Sequence, residues 1–257
     1  MTLTLVTDSH GTGGLPVLFA HSFAGDLSHW AAALEHLKPR HRAVAFDFRG
    51  HGRSPGAVGR YSYDELAKDI GAVADAQELE RFVLVGHSMG AAIAAKFAAR
   101  HSRRVEALVL VDPPPAPGAI SAAQLQQILA ALDKDPCAVV EQFWDQQMFI
   151  DSRPEVQQRL LAGLRKMPRR TAIELTREAF AVDASIPLRR YAGPKFTIVT
   201  PRNDAPLSLH HVVPHMKHVV VKGTGHWIHL DRPDDFNAAL DGILSQQSSP
   251  TQSRSVI

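Results

Sequence analysis

The chain has 257 residues, of which 45% are hydrophobic and 21% charged, and its formal net charge is +2. These values fit one globular domain or a core domain that carries an insertion. They argue against electrostatically driven nucleic-acid binding, because no long basic run occurs.

The single cysteine, Cys137, excludes an internal disulfide and favours a reducing compartment. The first residues lack a basic segment followed by a long apolar run, and no apolar run is long enough to span a membrane. We therefore expect a cytoplasmic protein.

Short apolar runs alternate with helical patterns along most of the chain, which predicts an α/β fold. The expected architecture is a mostly parallel, doubly wound sheet covered by helices. The predicted strands are Thr2–Thr7, Val17–Ala20, Ala43–Phe48, Phe82–Val85, Ala107–Val111, Phe196–Thr200 and His218–Val221. The predicted helices are Leu27–Leu37, Tyr63–Leu79 (with Asp64 as N-cap), Ser88–Arg100, Leu207–Met216 and Pro233–Ser245.

The alternation stops between Pro113 and Arg190, where a proline-rich run is followed by helical patterns alone. This predicts a helical cap, residues 113–190, inserted into a core formed by residues 1–112 and 191–246. The polar residues 247–257 predict a flexible tail. The cap helices are predicted near Ala122–Leu132, Cys137–Phe149, Pro154–Lys166 and Thr171–Phe180.

The motif Gly86-His87-Ser88-Met89-Gly90 lies between the predicted strand Phe82–Val85 and a helical stretch, Ala91–Arg100. This context favours a nucleophile elbow, a sharp turn that exposes the Ser88 hydroxyl, over a chance match. The amide of Met89 then lies at a helix N-terminus, where partial positive charge favours an anion.

A serine nucleophile needs a base, and the base needs an acid that orients it. His226 is the predicted base because it lies in a loop after the last predicted strand, and His229 is its competitor. Asp204 is the predicted acid, because it follows a strand at the end where such folds build their sites. Alternatively, Asp204 only caps the next helix, and Asp112 or Asp183 supplies the carboxylate.

An oxyanion needs a second donor beside the Met89 amide. The loop His21-Ser22-Phe23-Ala24-Gly25 follows the strand Val17–Ala20, so the Phe23 amide is the predicted donor. The alternative is an ordinary turn with a buried phenylalanine.

Four segments, in this order, resemble motifs of the α/β-hydrolase superfamily, in the branch of small capped bacterial hydrolases. They are His21–Gly25, Asp47–Ser54, Gly86–Gly90 and Gly225–His229. The resemblance implies Ser88 as nucleophile, Asp204 as acid, His226 as base and the Phe23 and Met89 amides as oxyanion hole. The chain departs from the family in having His21-Ser22 where His-Gly is usual.

The resemblance further implies a serine hydrolase acting on carboxylic esters or lactones, without a cofactor. C–C bond hydrolysis, cofactor-free perhydrolysis, a lyase like the menaquinone-pathway synthase and a non-catalytic receptor are the alternatives. A metal site is not expected, because His210-His211 and the other scattered histidines lack metal-ligand spacing.

The expected partner is a small-molecule ester or lactone, with neither nucleic acid nor a membrane span, and a monomer or a homodimer is compatible with the sequence. Apolar cap residues are expected to form its pocket, although they are equally compatible with holding the cap on the core. The predicted pocket residues are Phe23, His87, Phe143, Trp144, Met148 and Trp227.

Overall fold

Seven strands form one sheet in the computed structural model, which describes residues 4–56, 59–117 and 121–248. The strands are β1 (Thr7–His10), β2 (Val17–Ala20), β3 (Ala43–Phe46), β4 (Phe82–His87), β5 (Val105–Val111), β6 (Lys195–Val199) and β7 (Met216–Val220). Their spatial order is β1-β3-β2-β4-β5-β6-β7. Strand β1 is antiparallel to β3, and the other neighbouring pairs are parallel. The predicted α/β sheet is confirmed.

Eleven α-helices are described, together with 3-10 turns at Leu27–Trp30 and Pro201–Asn203 and a π-helical turn at Trp144–Met148. None of the helices in the described ranges is both long and apolar enough to cross a lipid bilayer. The helices are α1 (Ala31–Leu37), α2 (Tyr63–Ala76), α3 (Met89–Arg100), α4 (Ala122–Leu132), α5 (Pro136–Phe143), α6 (Pro154–Lys166), α7 (Arg169–Ala181), α8 (Ser185–Arg190), α9 (Leu209–Val212), α10 (Ile228–Asp231) and α11 (Pro233–Ser248).

The apolar core has two layers, one on each face of the sheet. Along β2, Val17 and Phe19 point into the layer beneath α1 and α11, whereas Leu18 and Ala20 point into the layer beneath α2 and α3. Successive strand residues face opposite sides. Because both sides are covered, all four residues are apolar and fully buried.

Helix α2 begins at a different cap from the predicted one. The Ser62 hydroxyl accepts a hydrogen bond from the Glu65 amide at 3.2 Å, which satisfies a free donor of the first turn. Asp64 lies one residue inside the helix and pairs with Lys96 at 3.2 Å and with Arg100. The prediction of Asp64 as N-cap is therefore wrong.

Helices α4 to α8 follow β5 and precede β6, and residues 112–117 and 121–194 contain no strand. Helix α8 was not predicted, and it packs against α3 of the core. The boundaries of the cap and the core stay predictions. Helix α11 includes the first two residues of the predicted tail, and the rest of that prediction, residues 249–257, lies outside the described residues.

Several predicted elements differ in extent, among them the first strand and the helix before β7. The strand Thr2–Thr7 was placed too early: residues 4–6 are irregular, β1 begins at Thr7, and residues 1–3 lie outside the described ranges. As a half-exposed edge strand, β1 has no apolar run to mark it. The helix predicted at Leu207–Met216 shortens to the four residues of α9, because β7 already begins at Met216.

Candidate active site

Ser88 occupies a strained turn between β4 and α3. Its φ of 51° lies in the left-handed region, which is costly for a residue with a side chain. Gly86 and Gly90 permit the turn: a Cβ on Gly86 would lie 2.4 Å from the Gly90 carbonyl oxygen. The Ser88 amide donates to the carbonyl oxygen of Val111 at 3.0 Å, which fixes the elbow to the end of β5. The structure has the backbone form of a nucleophile elbow.

The predicted oxyanion amides belong to two segments in contact. Met89 is the first residue of α3, and the first i→i−4 bond of that helix is donated by Ala92 to the Ser88 carbonyl, so no helical carbonyl accepts from the Met89 amide. A Cβ on Gly90 would lie 2.4 Å from the His21 carbonyl oxygen. The helix N-terminus therefore abuts the loop that carries Phe23.

Ser22, the departure from the family pattern, has a structural role. Its buried hydroxyl accepts a hydrogen bond from the indole Nε1–H of Trp227 at 3.2 Å. Ser22 is not among the residues with positive φ, whereas Ala24 is, with a φ of 54°. The hydroxyl therefore ties the His21–Gly25 loop to the residue after His226 without backbone strain.

The carboxylate bound to His226 is that of Asp112. The Nδ1–H of His226 donates to Oδ2 of Asp112 at 2.6 Å, and both side chains are buried. Asp112 follows β5 directly and has a φ of 40°. Since β5 lies beside β4, Asp112 and Ser88 project from adjacent strand ends.

The second carboxylate oxygen of Asp112 is held by the loop after β6. Its Oδ1 accepts from the Thr200 amide at 2.9 Å, from the Thr200 hydroxyl at 3.2 Å and from Nδ2 of Asn203 at 3.2 Å. Three donors therefore hold one oxygen of the carboxylate, and His226 holds the other. These contacts fix its orientation.

Asp204 does not reach His226, so its prediction as the acid partner is corrected. Its Oδ1 accepts from Nε2 of His210 at 3.0 Å and from Nε2 of His211 at 2.8 Å. These two hydrogen bonds, that of His210 first, hold the pKa of Asp204 below its ordinary value. The physical reason is the 3-10 turn Pro201–Asn203, which directs Asn203 and not Asp204 toward Asp112.

Two further predictions do not match the structure: Asp204 as a helix cap and Asp183 as the partner of His226. Helix α9 begins after Ser208, so Asp204 does not cap it. Asp183 accepts from the Ser185 amide at 2.8 Å inside the predicted cap.

The other ring nitrogen of His226, Nε2, is buried and has no hydrogen-bond partner within the described part of the chain. The bond from the Ser88 hydroxyl to this nitrogen is therefore not formed. Such bonds are often long in unliganded sites and tighten only when a substrate binds.

Two further buried histidines adjoin His226. Nε2 of His87 bonds to the His226 carbonyl oxygen at 3.0 Å, and the two rings lie 4.6 Å apart. His229, the competing base, is stacked on Trp30 at 4.1 Å and has no carboxylate partner among the described contacts. Burial holds the pKa of both His87 and His229 well below the ordinary value, so both are neutral.

The loop that carries His226 is bonded to the segment after α5. The His226 amide donates to the Met148 carbonyl oxygen at 3.0 Å. Buried Asp231 accepts from the Ser152 hydroxyl at 3.0 and 2.9 Å, and from the amides of Arg153 at 2.9 Å and Gly225 at 3.1 Å. Burial raises the pKa of Asp231 despite these donors.

The predicted pocket residues occupy different environments. His87, Trp144 and Trp227 are buried, and the two indole rings meet edge to face at 5.0 Å. Phe143 is 43% exposed, because neighbouring helix residues point about 100° apart. Phe23 and Met148 are half-buried.

The residues that orient Asp112 and His226 were not predicted from the sequence. Thr200 and Asn203 had a local signal, since a threonine three residues before an asparagine suits a capped turn, and the Thr200 hydroxyl accepts from the Asn203 amide at 3.2 Å. Ser152 and Asp231 are 79 residues apart, and no sequence signal connects them.

Comparison with known proteins places the chain in a family. A profile described as alpha/beta hydrolase fold matches residues 16–152. The chain is similar to the dihydrolipoyllysine-residue acetyltransferase component of the acetoin cleaving system of Pseudomonas putida, with 34% identity over 125 residues, covering 49% of this chain and 34% of the relative. The match thus spans about a third of that relative's length.

Two similarities extend over most of the chain. The mouse (Mus musculus) sn-1-specific diacylglycerol lipase ABHD11 is 27% identical over 256 residues, covering 91% of this chain and 83% of the relative. A thermophilic esterase from Thermogutta terrifontis superimposes with a TM-score of 0.80 at 22% identity, covering 95% of this chain and 93% of that one. The elbow, the motif order and the sheet agree with these similarities, and the chain belongs to the alpha/beta hydrolase fold family.

Proposed function

We propose that this protein is a serine-dependent hydrolase of carboxylic esters or lactones, with Ser88 as nucleophile, His226 as base and Asp112 as acid. The observation that carries the proposal is the 2.6 Å hydrogen bond between His226 and Asp112, beside the elbow at Ser88. A buried imidazole oriented by a buried carboxylate, next to a strained serine, is the arrangement that nucleophilic acyl transfer needs.

In the proposed reaction, Nε2 of His226 accepts the Ser88 proton as Oγ attacks the substrate carbonyl carbon. The carbonyl oxygen takes up the electron pair and becomes an oxyanion between the amides of Phe23 and Met89. The oxyanion then collapses, the bond to the alkoxy group breaks, and His226 protonates the leaving alcohol. Water, activated by the same nitrogen, attacks the acyl-enzyme and releases the acid.

Each protein group has a separate supporting observation. The hydrogen bond to Asp112 keeps the His226 proton on Nδ1, so that Nε2 carries the lone pair that accepts. The Met89 amide has no helical acceptor. His87 and His229 are buried and neutral, so they add no positive charge beside the base.

Ester chemistry is further supported by similarity, since the mouse protein that matches most of the chain is a diacylglycerol lipase. For the pocket, we propose that the half-buried Phe23 and Met148 contact the substrate. Buried Trp144 and Trp227 are better suited to hold the segment after α5 against the His226 loop.

The test is turnover of a p-nitrophenyl ester series, from acetate to decanoate, by the wild type and Ser88→Ala. We expect wild-type turnover and its loss in the variant, and we expect a fluorophosphonate probe to label only the wild type. The chain length with the highest turnover then indicates how long an acyl chain the pocket accepts.

A folded wild type that turns over neither these esters nor simple lactones would overturn the proposal. The protein would then have to be tested for C–C bond hydrolysis, perhydrolysis, a lyase reaction or ligand binding. Equal turnover by Ser88→Ala would instead exclude Ser88 as the nucleophile.

A further inference from the structure

Asp204, His210 and His211 form a cluster of three potential ligands outside the proposed catalytic machinery. We propose that these three side chains bind one divalent transition-metal ion of the zinc class. The sequence alone does not predict a metal site here, because adjacent histidines lack metal-ligand spacing. The fold adds a carboxylate from the loop after β6 to the two imidazoles of α9.

The distances between the donor atoms suit a single ion. Oδ1 of Asp204 lies 3.0 Å from Nε2 of His210 and 2.8 Å from Nε2 of His211, and the three ligand atoms lie within 4.8 Å of one another. Zinc ligands at about 2.0–2.2 Å from the ion lie roughly 3–3.5 Å from each other, so small side-chain rotations would admit the ion. Two imidazoles and one carboxylate form a zinc donor set that leaves a further position for water.

His210 is held in the orientation that a ligand needs. Its side chain is fully buried, and its ring is stacked on His218 at 4.4 Å with 19° between the planes. Its Nδ1 faces the Thr197 hydroxyl at 3.4 Å, so Nε2 is directed at Asp204. A partner on the second ring nitrogen is typical of metal-bound histidine, because it fixes the ring and the tautomer.

The backbone around Asp204 is also held in place by hydrogen bonds. The Ser208 hydroxyl bonds to the Asn203 carbonyl oxygen and accepts from the Ala205 amide at 3.0 Å, which holds the residues on either side of Asp204. The open side of the cluster belongs to Asp204 and His211, whose side chains are 33% and 45% exposed. An ion from solvent therefore has access, while the buried His210 provides a fixed anchor.

An ion at this place would act on the protein through Asn203. This residue precedes Asp204 and donates to Oδ1 of Asp112 at 3.2 Å. Fixing Asp204 would restrict the loop that orients Asp112. We infer a structural ion that rigidifies this loop, without contact to the reacting atoms.

The experiment measures binding directly, so that its outcome does not depend on any hydrolase activity. Chelator-treated full-length protein is titrated with Co²⁺ and followed by ligand-field absorption, and Zn²⁺ then competes for the site. Equilibrium dialysis gives the stoichiometry. We expect one ion per chain, and a rise in Tm of about 5–10 °C at Zn²⁺ concentrations near a hundred times the Kd.

The variants are His211→Gln and Asp204→Asn, with His101→Gln as a matched control on an exposed histidine away from the cluster. We expect both cluster variants to weaken binding by at least about tenfold, the loss seen even for outer-shell partners. The control should bind as the wild type does.

Absence of stoichiometric Co²⁺ and Zn²⁺ binding by folded wild type would overturn the proposal and leave the cluster as a hydrogen-bonded one. Equal binding by the wild type and both cluster variants would overturn it too. A failure of the proposed ester hydrolysis, in contrast, would leave this result unaffected.

Discussion

The substitution Asp112→Asn tests the assignment of the acid. The asparagine amide has one acceptor oxygen, whereas the carboxylate of Asp112 serves donors on both of its oxygens. Three donor groups from Thr200 and Asn203 face Oδ1, and His226 Nδ1–H faces Oδ2. The asparagine oxygen will stay with the three donors, so its NH₂ group will face His226.

The NH₂ group donates, and Nδ1 of His226 must then become an acceptor. The imidazole proton moves to Nε2, which can no longer accept the Ser88 proton. A triad held in the wrong tautomer loses about 10⁴ in kcat, or about 5 kcal/mol of transition-state stabilisation. We expect a loss of that size, with Tm lowered by a few degrees at most because the side chain keeps its shape.

The assay compares kcat/KM on the best p-nitrophenyl ester for the wild type, Asp112→Asn and Asp204→Asn, all in chelator. Asp204 lies on the loop, and among the described residues its side chain is hydrogen-bonded to His210 and His211 and not to Asp112 or His226, so we expect its variant to stay within about tenfold of the wild type. The reverse result, with Asp204→Asn inactive and Asp112→Asn active, would refute the geometric argument. Circular dichroism confirms that both variants are folded.

Three predictions concern stability. Burial lowers the pKa of His21 to about 4 in the folded protein, whereas the pKa of this side chain in the unfolded chain is near 6.5. As the pH falls, the unfolded chain therefore takes up the proton first, so the contribution of His21 to the free energy of unfolding is complete above about pH 6.5 and is lost toward pH 4. At pH 5 the loss from this side chain alone is about 2 kcal/mol. Denaturant titrations at about pH 7 and 5 check this, and equal unfolding free energies would contradict it. Gly90→Ala should lower the free energy of unfolding by about 1–3 kcal/mol, because the new Cβ would lie 2.4 Å from a backbone oxygen. In the control Gly242→Ala the new Cβ has no atom within 4 Å, so this variant should not be destabilised. Equal denaturation midpoints for the two variants would contradict this prediction. Ser152→Ala should lower the free energy of unfolding by about 2 kcal/mol, because it removes a hydrogen-bond donor from the buried carboxylate of Asp231. A change below about 0.5 kcal/mol would show that this hydrogen bond does not stabilise the fold.

The sequence was sufficient for the parts of the site that local patterns determine. The elbow at Ser88 depends on two glycines, a strand and a helix that adjoin it in the chain. His226 was predicted from its position after the last strand, and the structure pairs it with a carboxylate. Both predictions rest on neighbours within a few residues.

The choice of acid needed information that the sequence does not contain. Asp112 and Asp204 each follow a strand of the same sheet, so the same rule selected both. The deciding features are the φ of 40° at Asp112 and the 3-10 turn that presents Asn203 instead of Asp204. The cluster that we propose as a metal site was not predicted for a similar reason, since the turn, and not sequence spacing, brings Asp204 to His210.

The hydrogen bonds between the His226 loop and the segment after α5 have a consequence for inactivation by heat. The His226 amide is bonded to Met148, and Asp231 is bonded to Ser152 and Arg153. Regions of a protein open locally, with free energies below that of global unfolding. If the residue 148–153 segment opens in this way, the proposed base His226 loses its position while the sheet stays intact. Loss of activity on warming should then be reversible at first and precede the cooperative melting of the core.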